Sequence, residues 1–216
     1  MNEYLAKLIE VETNLEIKRQ LKLVIEEKDS GERIGDETPN AIKKLCQDGY
    51  EFFKGLEKPV VDIACGNGFG IDILDADYGI DIHINHPKAI YGDLFDKISD
   101  VEKGIESGIF FQAIEHFTEE EQKKILKVIT RDCKWLAIST NNKDADPFID
   151  GCFLLSGKYN PYHKHEFDAE KFEKLSEYFD SYIFYNQFFK DGESTFTQDE
   201  YPHHEAINFY IFGRCK

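Results

Sequence analysis

The chain has 216 residues, 41% of them hydrophobic and 14% aromatic, which suits one globular domain with a sizeable core and excludes a disordered chain. Acidic residues outnumber basic ones 42 to 26, and the formal net charge of −16 opposes binding to a nucleic-acid backbone or an anionic membrane. No apolar run approaches the roughly 20 residues of a membrane span, and Met1 to Lys7 carry neither a basic head nor an apolar signal core, so the expected location is the cytoplasm.

Residues 1–29 read as one or two helices, with Thr13 and Glu16 forming a capping box ahead of Ile17, Leu21, Val24 and Ile25. A polar, glycine-punctuated link over 29–37 leads to Thr38-Pro39, which starts a further helix. Ile42, Leu45, Cys46 and Phe53 share one face of it, and Gly55 ends it. Residues 1–55 are therefore expected as a helical cover on a core domain spanning 56–216. In that core, short apolar runs alternate with helical segments; the candidate strands are 60–64, 78–82, 89–91, 108–114, 135–140, 182–186 and 206–212. Such alternation predicts an α/β fold with a mostly parallel sheet and helices on both faces, the last two strands pairing antiparallel.

Thr118 and Glu121 form a second capping box before Ile125, Leu126 and Ile129. Phe167 and Phe172 flank the candidate cap Asp168 as a hydrophobic staple, opening a helix expected to run to about residue 179. Two long irregular segments, 141–159 and 191–204, read as lids, binding loops or, for the second, a linker. The five cysteines are odd in number and never spaced C-x-x-C, which argues against a disulfide framework or a zinc knuckle.

The stretch Val60 to Gly70, V-V-D-I-A-C-G-N-G-F-G, is a buried strand opening into a turn with glycines at alternate positions, 66, 68 and 70. Asp62 places an acid inside that strand, where it needs a polar partner. A P-loop requires Lys followed by Ser or Thr after its glycines, and none follows. A dinucleotide fingerprint requires a third glycine where Ile71 stands. Asp81 closes the second strand 19 residues after Asp62, close to the interval expected for an acid that accepts both ribose hydroxyls, and it leaves room for only a short intervening helix.

The run from Asp62 to Gly70 resembles motif I of the class I S-adenosylmethionine-dependent methyltransferases. That resemblance implies a Rossmann-like, seven-stranded sheet with an antiparallel last strand and S-adenosylmethionine as cofactor. It implies cofactor contacts from Asp62, Ala64, Cys65, Gly66, Asn67, Gly68, Asp81 and Ile82. Asp93, in Tyr-Gly-Asp-Leu-Phe-Asp, resembles the position that receives the adenine amino group, with Leu94 against the ring; turn chemistry is the other reading of Asp93. Gln112 and Ala113 match the segment beside the methyl-transfer pocket.

Glu115-His116 follows that segment, and His116 is a candidate general base or a residue that orders its loop. The stretch Asn160 to Phe167 resembles the N-P-[FY]-H-x-x-E-[FY] segment that lines the acceptor side in members acting on sugars, sugar nucleotides and other small metabolites. It makes Tyr162, His165 and Glu166 candidate acceptor contacts and His163 a second candidate base. His163, His165, Glu166, His203 and His204 match no dedicated metal motif, and no metal is expected.

The expected activity is methyl transfer to an oxygen or nitrogen of a small molecule, a sugar or sugar nucleotide included, without a nucleic-acid or membrane partner. A catalytically silent binding module and an NAD-dependent oxidoreductase are the rival readings.

Overall fold

A computed structural model describes residues 40–82, 86–97, 105–146, 148–149, 152–153, 160 and 163–216. The helices expected over 1–29, their link, Tyr162 and much of the irregular segment 141–159 lie outside the described residues.

The described chain runs α1 (Asn40–Phe52), β1 (Val60–Ile63), α2 (Phe69–Leu74), β2 (Tyr78–Asp81), β3 (Ala89–Tyr91), α3 (Leu94–Lys97), β4 (Ile105–Phe111), α4 (Glu119–Asp132) and β5 (Cys133–Asn141). The hairpin strands β6 (Phe148–Ile149) and β7 (Cys152–Phe153) follow, then α5 (Ala169–Glu173), β8 (Phe179–Lys190), β9 (Glu193–Asp199) and β10 (Asn208–Cys215). The main sheet has eight strands in the order β3-β2-β1-β4-β5-β10-β8-β9. Pairing is parallel from β3 through β5, and β10 is antiparallel to both neighbours, β5 and β8.

The sequence leads to seven strands; the eighth, β9, lies within the stretch read as a loop over 191–204. Lys190 pairs with Glu193, so Asp191 and Gly192 alone make the turn, both with positive φ (53° and 81°). Two such residues match the right-handed twist of the flanking strands. β9 is polar because it is an edge strand, and that polarity disguises it. The helix after Asp168 is also shorter than expected: five residues of α5 tighten into a 3-10 segment, Lys174–Tyr178. Its start is as predicted, with the Asp168 carboxylate accepting the Lys171 N–H at 2.9 Å and the Phe167 and Phe172 rings 6.1 Å apart.

Strand alternation divides the core between the two faces of the sheet. Val61 and Ile63 face one side, with Ile125, Leu126 and Ile129 of α4 and Phe172 of α5. Val60 faces the other side, with Phe53, Ile71 and Leu74 beside α1 and α2. Asp62, one residue from Val61, therefore points toward α1 and α2. The capping box of α4 forms as the sequence dictates, Thr118 and Glu121 each bonding the other's backbone N–H.

Helix α1 is held to the far strands by a buried amide. Gln187 of β8 donates to the Leu45 carbonyl at 2.8 Å and to Ser194 Oγ at 2.9 Å, while its oxygen accepts from Asn208 and Tyr210. Phe52 stacks on Phe196 of β9, with centroids 4.2 Å apart. Replacing the amide leaves buried donors and acceptors unpaired, each costly in a low-dielectric core. Gln187→Leu is therefore expected to destabilise the chain by about 2–4 kcal/mol, read from urea unfolding midpoints; a loss below about 1 kcal/mol would mean that water replaces the amide.

Candidate functional site

The carboxyl ends of β1, β2 and β4 meet at the glycine loop. Ala64 leaves β1 with φ 58° and Gly68 opens α2 with φ 87°, both left-handed, and the alanine stores local strain there. Main-chain bonds fix the loop: Cys65 N–H to Ile80 O at 3.1 Å and Gly68 N–H to Cys65 O at 2.9 Å. Asn67 accepts the Phe69 N–H at 3.2 Å, while the Cys65 side chain turns into the core. Gly66 donates its N–H to Asp81 Oδ2 at 2.8 Å, and the space where its side chain would stand is open.

Gly68 lies under the His86 ring, which a Cβ would approach to 2.7 Å; His86 in turn contacts Asp72 at 3.2 Å. Gly70 leaves no room for a side chain, since a Cβ there would strike the Asp62 carboxylate and the Tyr50 ring. Ile71, fully buried in the place of a dinucleotide motif's third glycine, packs instead on Gly79 of β2.

Asp62 is 0% exposed, and neither of its carboxylate oxygens has a hydrogen-bond partner among the described residues. Burial, with the like charge of Asp81 added, pushes its pKa up to about 8; the Tyr50 phenol acts the other way, though its geometry falls short of a hydrogen bond. Burial likewise holds the Tyr50 hydroxyl well above the usual phenol range.

Of the other expected cofactor contacts, Ile82 is exposed at the end of β2 and Asp93 is exposed beyond β3. The Asp93 carbonyl receives the Lys97 N–H as α3 begins, while the Leu94 side chain belongs to the core. Gln112 has φ 49°, and both its backbone N–H and its amide bond Ser139, at 3.0 and 3.1 Å. Ala113 is buried beside it.

A second group of side chains forms where β4 ends. Residues Ile114–His116 make a 3-10 turn, and the Glu115 carbonyl accepts the N–H groups of Lys164 and His165 at 2.9 and 3.1 Å. This pins the segment from 163 to 167 onto the turn. The Glu115 carboxylate is buried and accepts the Thr140 hydroxyl at 3.0 Å. His163, its side chain 2% exposed, has Nε2 at 4.0 Å from Glu115 Oε1 and its ring 5.0 Å from that of His116, edge to face. One ligand atom from each of Glu115, His116 and His163 lies within 4.8 Å of the other two, a spacing that could hold a metal ion.

The Asn160 amide nitrogen contacts His163 Nε2 at 2.8 Å, and Glu166 Oε1 contacts Nδ1 at 2.8 Å. An amide nitrogen can only donate, so Nε2 is the acceptor and Nδ1 carries the proton given to Glu166.

The wider histidine group does not converge. His165 packs on Phe167, its pKa lowered by burial, and His203 and His204 stack on one another elsewhere. Among the described residues, Glu115, His116 and His163 are the group with metal-ligand spacing. The sequence reading missed Tyr50, Asn160 and the Glu115 carboxylate. The last carried a signal, an acid beside a histidine at a strand end, and Asn160 stood at the head of the N-P-[FY]-H stretch; Tyr50 carried none. An open groove of about 590 Å³ lies among Tyr182, Ile183, Phe184, Asp199 and Tyr201, toward the amino-terminal half of β8 and away from the glycine loop.

No protein-family model matches the chain, and no curated protein matches its sequence. Its likeness is to solved structures. A SAM-dependent methyltransferase of Thermotoga maritima, described as a possible histamine N-methyltransferase, is 14% identical with a TM-score of 0.57 over 82% of this chain and 89% of that one. A SAM-dependent methyltransferase of Archaeoglobus fulgidus is 16% identical with a TM-score of 0.57 over 89% and 99%. The small RNA methyltransferase HEN1 is 17% identical with a TM-score of 0.56 over 93% of this chain but 30% of that one. The chain therefore has the Rossmann-like fold of these methyltransferases. Among the described residues, no helix is long and apolar enough to cross a membrane.

The Asp62 carboxyl gives a pH test. Its native pKa lies above the ordinary value of 3.8, so between the two the folded chain holds a proton that the unfolded chain has lost. Its contribution to stability falls as pH rises from about 4 to about 8. In the ligand-free chain, Asp62→Asn is expected to raise the melting temperature by only a few degrees at pH 5 and by at least about 5 °C more than that at pH 9. Equal melting of the two chains at both pH values would mean that Asp62 is partnered or already ionised.

Proposed function

We propose that the chain is an S-adenosylmethionine-dependent methyltransferase acting on an oxygen or nitrogen of a small molecule, with sugars and sugar nucleotides the class its acceptor-side segment suggests. The observation that carries this reading is the Asp62 carboxylate, buried without a hydrogen-bond partner among the described residues, under a glycine loop and beside a second acid. Two acids facing one loop favour a cationic, hydrogen-bond-donating ligand, and an anionic ligand would leave the desolvation of Asp62 uncompensated. S-adenosylmethionine carries both a sulfonium and an ammonium, and when bound it supplies an electrophilic methyl carbon.

Asp62 and the open backbone at Gly66 would hold the methionyl part, and Asp81 would accept the ribose hydroxyls. Asp93, Ile82, Gln112 and Ala113 would surround the adenosine. The chain's own work is then to align the acceptor and exclude water. His116, half-buried at the end of the turn, is placed to take an acceptor proton; His163 lies behind it, its tautomer set by Asn160 and Glu166. Glu166, His165 and Tyr162 complete the proposed acceptor side. The likeness to HEN1 is one of fold, and the net charge of −16 weighs against an RNA backbone as partner.

Calorimetric titration with S-adenosylhomocysteine tests the reading. Asp81→Ala should lose about tenfold or more in affinity, since it removes a charge-assisted pair of hydrogen bonds. Unchanged affinity would sink the assignment of Asp81, and heat with NAD in place of S-adenosylhomocysteine would replace the function altogether.

A further inference from the structure

We infer that Glu115, His116 and His163 form a binding site for a divalent transition-metal ion, and that the ion holds a hydroxyl of the acceptor. Three observations converge. The ligand atoms lie within 4.8 Å of one another and come from two separate segments, pinned together by the Lys164 and His165 N–H bonds to the Glu115 carbonyl. Two imidazoles and one carboxylate are the donor set that zinc, cobalt(II), iron(II) and manganese(II) accept while keeping positions open. Finally, the donors are already oriented by outer contacts: Glu166 holds Nδ1 of His163 at 2.8 Å, and Thr140 holds the Glu115 carboxylate at 3.0 Å. A carboxylate behind a histidine fixes the tautomer that leaves Nε2 for a metal and raises its basicity.

In the ligand-free chain the Nε2 lone pair is engaged by the Asn160 amide, which an ion displaces. The Glu115 and His163 side chains are buried and His116 is half-exposed, so the open coordination positions face outward past His116. A hydroxyl bound there becomes more acidic, its O–H bond breaking with the proton passing to water and the electron pair staying on the oxygen. His116 then serves as a ligand in place of a base. The assignment of the hydroxyl to a methyl acceptor rests on the proposed function; the metal site does not.

Cobalt(II) added to the untagged, chelator-treated chain should give visible d–d bands, and zinc(II) should titrate to one ion per chain by calorimetry. His163→Gln and His116→Gln should abolish the bands, and Glu166→Gln, which leaves all three ligands in place, should weaken zinc binding by about 10- to 100-fold. Circular dichroism and melting of each variant separate lost binding from lost folding. Absent bands at millimolar cobalt, or equal zinc affinity in the native chain and a folded His116→Gln variant, would overturn the site. S-adenosylhomocysteine titrated into the same samples keeps the two readings apart: zinc binding that depends on the three residues, without cofactor binding, would retain the metal site and remove the methyltransferase.

Discussion

A carboxylate held inside a sheet without a hydrogen-bond partner is the constraint around which this molecule is arranged. Among the described residues Asp62 has no hydrogen-bond donor, and Tyr50, the polar group that approaches it, falls short of a bond. The surrounding chain accommodates the carboxyl group sterically, with Gly70 reduced to bare backbone against it. Such an arrangement costs stability in the empty protein and is tolerated when a bound group of opposite charge returns the solvation that folding removed. The position of Asp81, its carboxylate engaged by the Gly66 N–H, adds to the same bias by raising the free energy of a second negative charge nearby.

The sheet explains why these groups meet. Alternation along β1 sends Val61 and Ile63 to one helical layer and Asp62 to the other, where α1 and α2 stand. The parallel order of β2, β1 and β4 brings their carboxyl ends side by side, the location where open α/β sheets bind ligands. The turn after β4 then carries Glu115 and His116, and the segment from 163 to 167 is bonded back onto it. Two chemically distinct groups of side chains thus arise at the end of one sheet.

Much of this was legible in the sequence, because it is local. The glycine loop, the short α2, the acids closing β2 and following β3, the capping box at Thr118 and the staple at Asp168 depend on residues within a few positions of one another. What was hidden depends on distant partners. Tyr50 has no signature as a neighbour of Asp62. The Glu115, His116 and His163 group joins residues nearly fifty positions apart. Leu94 reads as a ring-facing side chain, yet it packs in the core. The strand β9 was obscured for a different reason: its edge position removes the apolar alternation by which strands are recognised, and only the Asp191-Gly192 dipeptide marked the hairpin.

The bond from Gln187 to the Leu45 carbonyl bears on the order in which the chain can mature. It joins residues 142 positions apart, and α1, which carries Tyr50 to the glycine loop, also stacks Phe52 on Phe196, while Asn208 and Tyr210 hold the Gln187 amide. During synthesis α1 leaves the ribosome long before those partners exist. Closing contacts of such sequence separation is slow, because the entropy of the intervening loop must be lost before the contact contributes. The wall built by α1 is therefore among the last parts to set, since it waits on a residue 142 positions later in the chain.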